Sequence, residues 1–338
     1  MKSAYLVGAL SLALVLPSQV SAAERQTLTL YRKAIDIHGC GETWMTSQSA
    51  DSCRQKIAAY KAAEAASDAT APEKEQMQRE RLALESEYIG VLRLSGKKPE
   101  ARQQLQKSMA ELDRASPADK APIARVVAID LYRQAALLAF AAGDTRAADQ
   151  AIDQFRNLSQ GFFGAVDSMK DNKKLMLTQQ NNAIAAAGFE MEVGKIYADQ
   201  LKAAGNKASS EVREKAVMAY QRARQWAIAR AQHNWNGFAQ ATPQVQFADA
   251  TLALAQIAKD ANDMAGLASA IGEAKAAVCN RPNTNDKYGD AEAEERCLQT
   301  IVMEGWVTGA NQELIRRVAE NGDKSFRDAM ESLRNKKK

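Results

Sequence analysis

The sequence predicts an all-α chain, an array of antiparallel helical hairpins carrying two local disulfides. Three observations predict it. Alanine, the strongest helix former, supplies about 65 of the 338 residues, while Pro numbers 7 and Gly 18. Apolar residues recur with a helical period from Ala23 onward, and no segment alternates convincingly with period two. The four cysteines fall into two local pairs, Cys40 with Cys53 and Cys279 with Cys297. This composition excludes a β-sandwich and disfavours a parallel sheet. With 46% hydrophobic and 25% charged residues it also argues against a disordered chain.

Residues 1–22 read as a secretory signal peptide. Lys2 supplies a positive start, residues 4–16 an apolar run and Pro17 a break, and Val20-Ser21-Ala22 places small residues before a cut at Ala23. No cysteine follows the cut to take a lipid, and no later stretch reaches ~18 uninterrupted apolar residues. No stable membrane insertion is therefore expected after cleavage. The short leader looks bacterial, so the periplasm is the expected location, with full secretion as the alternative. The cysteines fit that route. Their spacings, 12 and 17 intervening residues, lack the CxxC unit of a zinc site, and an oxidising compartment favours disulfides.

Helix punctuation is clear along the mature chain. Thr70-Ala71-Pro72-Glu73 pairs a capping hydroxyl with Glu three residues on. Ser116-Pro117 and Thr242-Pro243 place a cap before a first-turn proline. Gly96, Gly143 and Gly205 fit the left-handed residue beyond a helix end. Helices are expected near 24–38, 48–66, 72–95, 99–115, 118–142, 145–158, 166–204, 210–235, 243–260, 263–278, 288–306, 310–320 and 324–335. The 166–204 segment is expected to break or bend near Gly188 or Gly194. The domain reading is a stapled N-terminal hairpin over 23–70, a helical array over 71–278, and a stapled C-terminal cap with a basic tail over 279–338.

A hairpin recurs within this train. Gly96 is followed by Ala101, Leu105 and Ser108-Met109; Gly143 is followed at the same offsets by Ala148, Ile152 and Phe155. Ala216, Tyr220 and Ala223 repeat the second half after a longer turn, and Ala261-Asn262 with Gly266 and Ala270 gives a weaker copy. A small residue one turn into the second helix lets two backbones approach, and a bulky one fills the seam. At these residues the chain resembles the tetratricopeptide-repeat family, best over 79–158 and loosely over 190–278. The small positions lie 47 and 68 residues apart, against the family's regular ~34, and its aromatic and proline positions are mostly missing. The resemblance implies a right-handed solenoid of hairpins that binds a protein; a stacked bundle with Gly turns is the other architecture.

Little in the sequence points to catalysis. Only two histidines are present, His38 and His233, and neither sits in a Glu-x-x-His or HExxH pattern. Ser95-Gly96-Lys97-Lys98 has S-x-x-K spacing but lies in a turn before Pro99, without companion motifs. Gly90 to Lys98 misses the phosphate-loop spacing and has no preceding strand. His38, beside Gly39 and Cys40, is expected at a helix C-terminus against the last carbonyls. No cofactor and no metal site is expected.

The candidate contact residues lie in two places. At about 100° per residue, Arg222, Trp226, Arg230 and His233 fall within about 80° of one another. Arg230 also falls on the face of Val212, Ala216, Ala219 and Ala223, where a charge needs a carboxylate, a carbonyl cluster or an anionic ligand. Two readings stay open: an anion- or carboxylate-binding face walled by Trp226, or a core Trp226 with arginines reaching water. Phe162 and Phe163 form the second place, adjacent aromatics in a Gly-flanked connection, one plugging the core and one free for a partner. A net charge of +4 spread along the chain gives no basic stripe for nucleic acid. The expected function is therefore an exported, non-catalytic scaffold or adaptor of the bacterial cell envelope that binds a protein partner. A periplasmic binder of a small anion or envelope polymer, or an enzyme with a carboxylate/arginine site, is the alternative.

Overall fold

The structure, a computed structural model, describes residues 25–40, 49–115, 122–165, 173–205, 209–232, 241–279 and 287–308. These residues form eleven helices and no strand: α1 (Gln26–Ile35), α2 (Ser49–Glu64), α3 (Ala71–Leu94), α4 (Lys98–Ala115), α5 (Pro122–Phe140), α6 (Thr145–Ala165), α7 (Lys173–Ala204), α8 (Ser210–Gln232), α9 (Ala241–Asp260), α10 (Met264–Cys279) and α11 (Lys287–Thr308). None of the helices among the described residues is long and apolar enough to cross a membrane. The leader (1–22), Ser116-Pro117, and the helices expected over 310–320 and 324–335 lie outside the described residues, as does the basic tail. Contacts divide the chain into two compact units, Met1–Met176 and Leu177–Lys338, a boundary inside the 71–278 segment.

In the first unit each helix packs on the next, and α3 also packs on α5. Leu82, Ile89 and Leu92 of α3 meet Ala101 and Leu112 of α4 and Val127 and Leu131 of α5 in one core. A smaller core joins Tyr31 and Ala34 of α1 to Tyr60 and Ala63 of α2 and Met77 of α3. The Tyr31 and Tyr60 rings meet edge to face, 5.9 Å apart. In the second unit α8, α9, α10 and α11 pack consecutively, and α9 also packs on α11. Leu252 and Ala255 of α9, Leu267 and Ile271 of α10, and Met303 of α11 share its core.

One turn recurs in both units. Gly96, Gly143 and Asn262 take positive φ (79°, 74° and 56°). At each, the next residue's N–H reaches back to the carbonyl five residues earlier: Lys97 to Leu92, Asp144 to Ala139, Asp263 to Ala258. That is the Schellman closure, which satisfies carbonyls a helix end leaves unpaired. The same residue begins the next helix, since Ala101, Ala148 and Leu267 donate to the carbonyls of Lys97, Asp144 and Asp263. Two turns add a side-chain cap, from Asp144 to the N–H of Ala147 and from Asp263 to that of Gly266. Counted from the positive-φ residue, equivalent positions are Ala101, Ala148 and Leu267, then Leu105, Ile152 and Ile271. All are buried except partly buried Leu105. The weaker copy is thus one residue out of the expected register, because Asn262 occupies the glycine position. Leu267 and Ile271 take the equivalent positions, and Ala270 is buried beside them in the same core.

The two disulfides form as the local spacing predicts, Cys40 with Cys53 and Cys279 with Cys297. The first ties the segment after α1 to α2, and the second ties the end of α10 to α11. Thr70 and Glu73 make the expected capping box at the start of α3.

Several expectations need correction. Helix α6 runs to Ala165, so Phe162 and Phe163 lie in its final turn and not in a connection; Gly161 and Gly164 cost the helix only ~1 kcal/mol each relative to Ala. Helix α7 is continuous through Gly188 and Gly194. Helix α9 starts at Ala241, two residues before Pro243. Helix α1 ends at Ile35, leaving exposed His38 beyond it, and Lys56 donates to the Ile35 carbonyl.

Candidate partner-binding surface

The buried stripe of α8 consists of Ala216, Ala219, Tyr220, Ala223, Trp226 and Ala227. It meets α7 at Gly194, where an added Cβ would stand 2.8 Å from the Tyr220 ring. Only glycine admits so close an approach without displacement. Trp226 is 6% exposed. Its ring belongs to the helix packing, whereas an aromatic wall for a ligand needs an outward ring. Arg222 is half-buried beside this stripe. Arg230 lies near the C-terminal end of α8, its side chain outside those described, and His233 lies outside the described residues. The side chains of Phe162 and Phe163 are likewise outside those described.

Arg224, which the sequence did not single out, joins three helices. Its guanidinium lies 4.7 Å from the centroid of Phe247 on α9, a cation–π distance, and pairs with Glu273 on α10. Nearby, Arg296 of α11 pairs with Asp249 of α9, and Lys275 of α10 with Glu304 of α11. Burial pushes the Asp249 carboxyl up, and Arg296 only partly offsets that.

A buried polar cluster in the first unit was also missed. Arg81 of α3 is 2% exposed and uses all five guanidinium N–H donors. Two go to Glu64 of α2, two to Glu111 of α4, and one to Glu85 on its own helix. The second Glu85 oxygen accepts the Ser108 hydroxyl at 2.6 Å, and Gln104 donates to Ser108. Burial alone would lower the Arg81 pKa, but the bonds it donates to Glu111 and Glu64 hold it raised. The signal was present: along α3, Met77, Ile89 and Leu92 make an apolar stripe that Arg81 and Glu85 interrupt at helical spacing.

A second set closes the N-terminal hairpin. Arg25 donates to both Glu73 oxygens at 2.9 Å, and Asp68 accepts from the backbone of Thr27. Arg25, against burial and with Thr70 helping, holds the Glu73 carboxyl down at about 2. Tyr31, Tyr60 and Gln76 all donate to the Glu80 carboxylate. These charges join helix to helix, whereas polar residues such as Arg102, Gln106 and Lys107 on α4 are exposed.

No protein-family model matches the chain, and no curated protein or solved structure is significantly similar to it.

Proposed function

We propose that the chain is an exported, non-catalytic scaffold or adaptor of the bacterial cell envelope, working in the periplasm. It holds a protein partner on the outer rows of tetratricopeptide-like hairpins. The observation that carries this reading is the recurring turn with its equivalent buried rows. Each hairpin buries one stripe against its neighbour, and the remaining rows are free to vary and to meet a partner. The two disulfides agree with an oxidising compartment. Arg222 is the contact residue retained from the α8 row, with Trp226 supporting it from the core.

Affinity capture tests the proposal. The mature chain, immobilised and exposed to envelope extract, should retain a protein at constant stoichiometry, and Arg222→Glu should weaken retention without changing the melting temperature. A chain that retains no protein in repeated extracts, but carries a small anionic molecule through purification, would overturn it. Arg230→Ala separates two roles for that residue. A large loss of stability means that an internal carboxylate holds it. Normal melting with lost capture makes Arg230 a contact.

A further inference from the structure

Three carboxylates and two cations meet at the Arg81 junction: Glu64, Glu85 and Glu111 with Arg81 and, 3.7 Å from Glu85, Lys61. One negative charge is left over in a cluster whose centre is closed to water. The carboxylates are unequally held. Glu85 accepts from Arg81 and Ser108 and lies beside Lys61. Glu111 accepts from Arg81 and from Gln78. Among the described residues, Glu64 has Arg81 as its one hydrogen-bond donor. The helices packed on α3 here are α2, which brings Lys61 and Glu64, α4, which brings Ser108 and Glu111, and α5, which brings apolar Val127 and Leu131.

We propose that this junction is a pH-sensitive latch in which Glu64 takes up a proton in mild acid, removing the surplus charge while Glu85 and Glu111 keep hold of Arg81. The latch joins the disulfide-stapled α1–α2 hairpin to α3 and α4, so its proton sets how firmly that hairpin is held. The electrostatic asymmetry agrees. Burial pushes the Glu64 carboxyl up and Arg81 only partly offsets it, with Glu111 and Glu85 adding to the rise. Burial also pushes Glu111 up, but Arg81, Gln78 and Lys61 outweigh it and hold that carboxyl below its ordinary value. A carboxyl raised in the folded state binds its proton more tightly there than in the unfolded chain. Its contribution to stability is full below the unfolded value, about 4.5, and is lost as pH rises through the folded value. For Glu111 the sign is opposite.

The test is the pH dependence of the urea midpoint of the full mature chain, from neutral pH down past 4.5, where the raised Glu64 reads above that value and the lowered Glu111 below it. Wild type should gain on Glu64→Gln as pH falls, and lose on Glu111→Gln. Parallel profiles for wild type and Glu64→Gln, or a gain by the variant, would overturn the latch. Should Glu64→Gln not fold, carbon-13 titration of side-chain carboxyls in the wild-type chain decides. A Glu64 midpoint above that of the urea-unfolded chain supports the latch, and one at or below it refutes it.

Discussion

Replacing Arg81 by Met would leave Glu64, Glu85 and Glu111 facing one another, with only the half-exposed Lys61 near them. Removing one partner of a buried ionic cluster typically costs ~3–5 kcal/mol, and the urea midpoint of Arg81→Met should report a loss of that size. A loss under ~1 kcal/mol would mean that water already reaches the cluster. Glu73 makes a prediction of opposite sign to Glu64. Its carboxyl falls from an ordinary 4.5 to about 2, so the stability it contributes is present above 4.5 and lost as pH falls toward 2. Arg25→Met should flatten the acid limb of the melting profile over that window; an unchanged limb would show that other carboxylates set it. At this scale legibility follows sequence distance. The Thr70–Glu73 cap spans three residues and could be read directly. Arg81 draws its partners from α2 and α4, 17 and 30 residues away, and no local pattern encodes them.

The helix ends and crossings carry their own tests. Two of the three Schellman turns place Asp at the residue that opens the next helix, and the third has Lys97 there. Lys97→Asp should stabilise α4 by about 1 kcal/mol through the missing cap, measured by thermal melting, and no gain would mean that the N-terminus of α4 is already satisfied. Glycine in a helix gives a paired prediction. Gly272→Ala adds a methyl in open space on α10 and should stabilise by up to ~1 kcal/mol. Gly194→Ala drives the same methyl into the Tyr220 ring and should destabilise by ~1–3 kcal/mol, with partial rescue by Tyr220→Leu. Equal effects at both sites would contradict the close α7–α8 crossing. The turns at Gly96 and Gly143 were legible because positive φ selects glycine. The third turn was legible at Ala261-Asn262, but its register was read one residue early, since asparagine tolerates positive φ without advertising it. The end of α6 was hidden for the converse reason: Gly161 and Gly164 read as breakers, yet the helix continues through them.

Across the whole molecule, alanine content, sparse proline and local cysteine pairs were enough to read an all-α, disulfide-stapled chain. The division at Met176 and Leu177 was not legible, because α7 runs through it as one continuous helix with no breaker to mark it. The partner surface was less legible still. Trp226, the aromatic that stood out, is core, and outer rows of Arg, Gln and Lys resemble any solvated helix face. The repeated hairpin makes those rows the proposed contact surface. Amide hydrogen exchange of the mature chain, alone and with its captured partner, tests this most directly. The account predicts added protection as a stripe that recurs on successive helices and leaves the turns at Gly96, Gly143 and Asn262 unchanged. Protection confined to one internal cluster, with the outer rows exchanging as in the free chain, would contradict it.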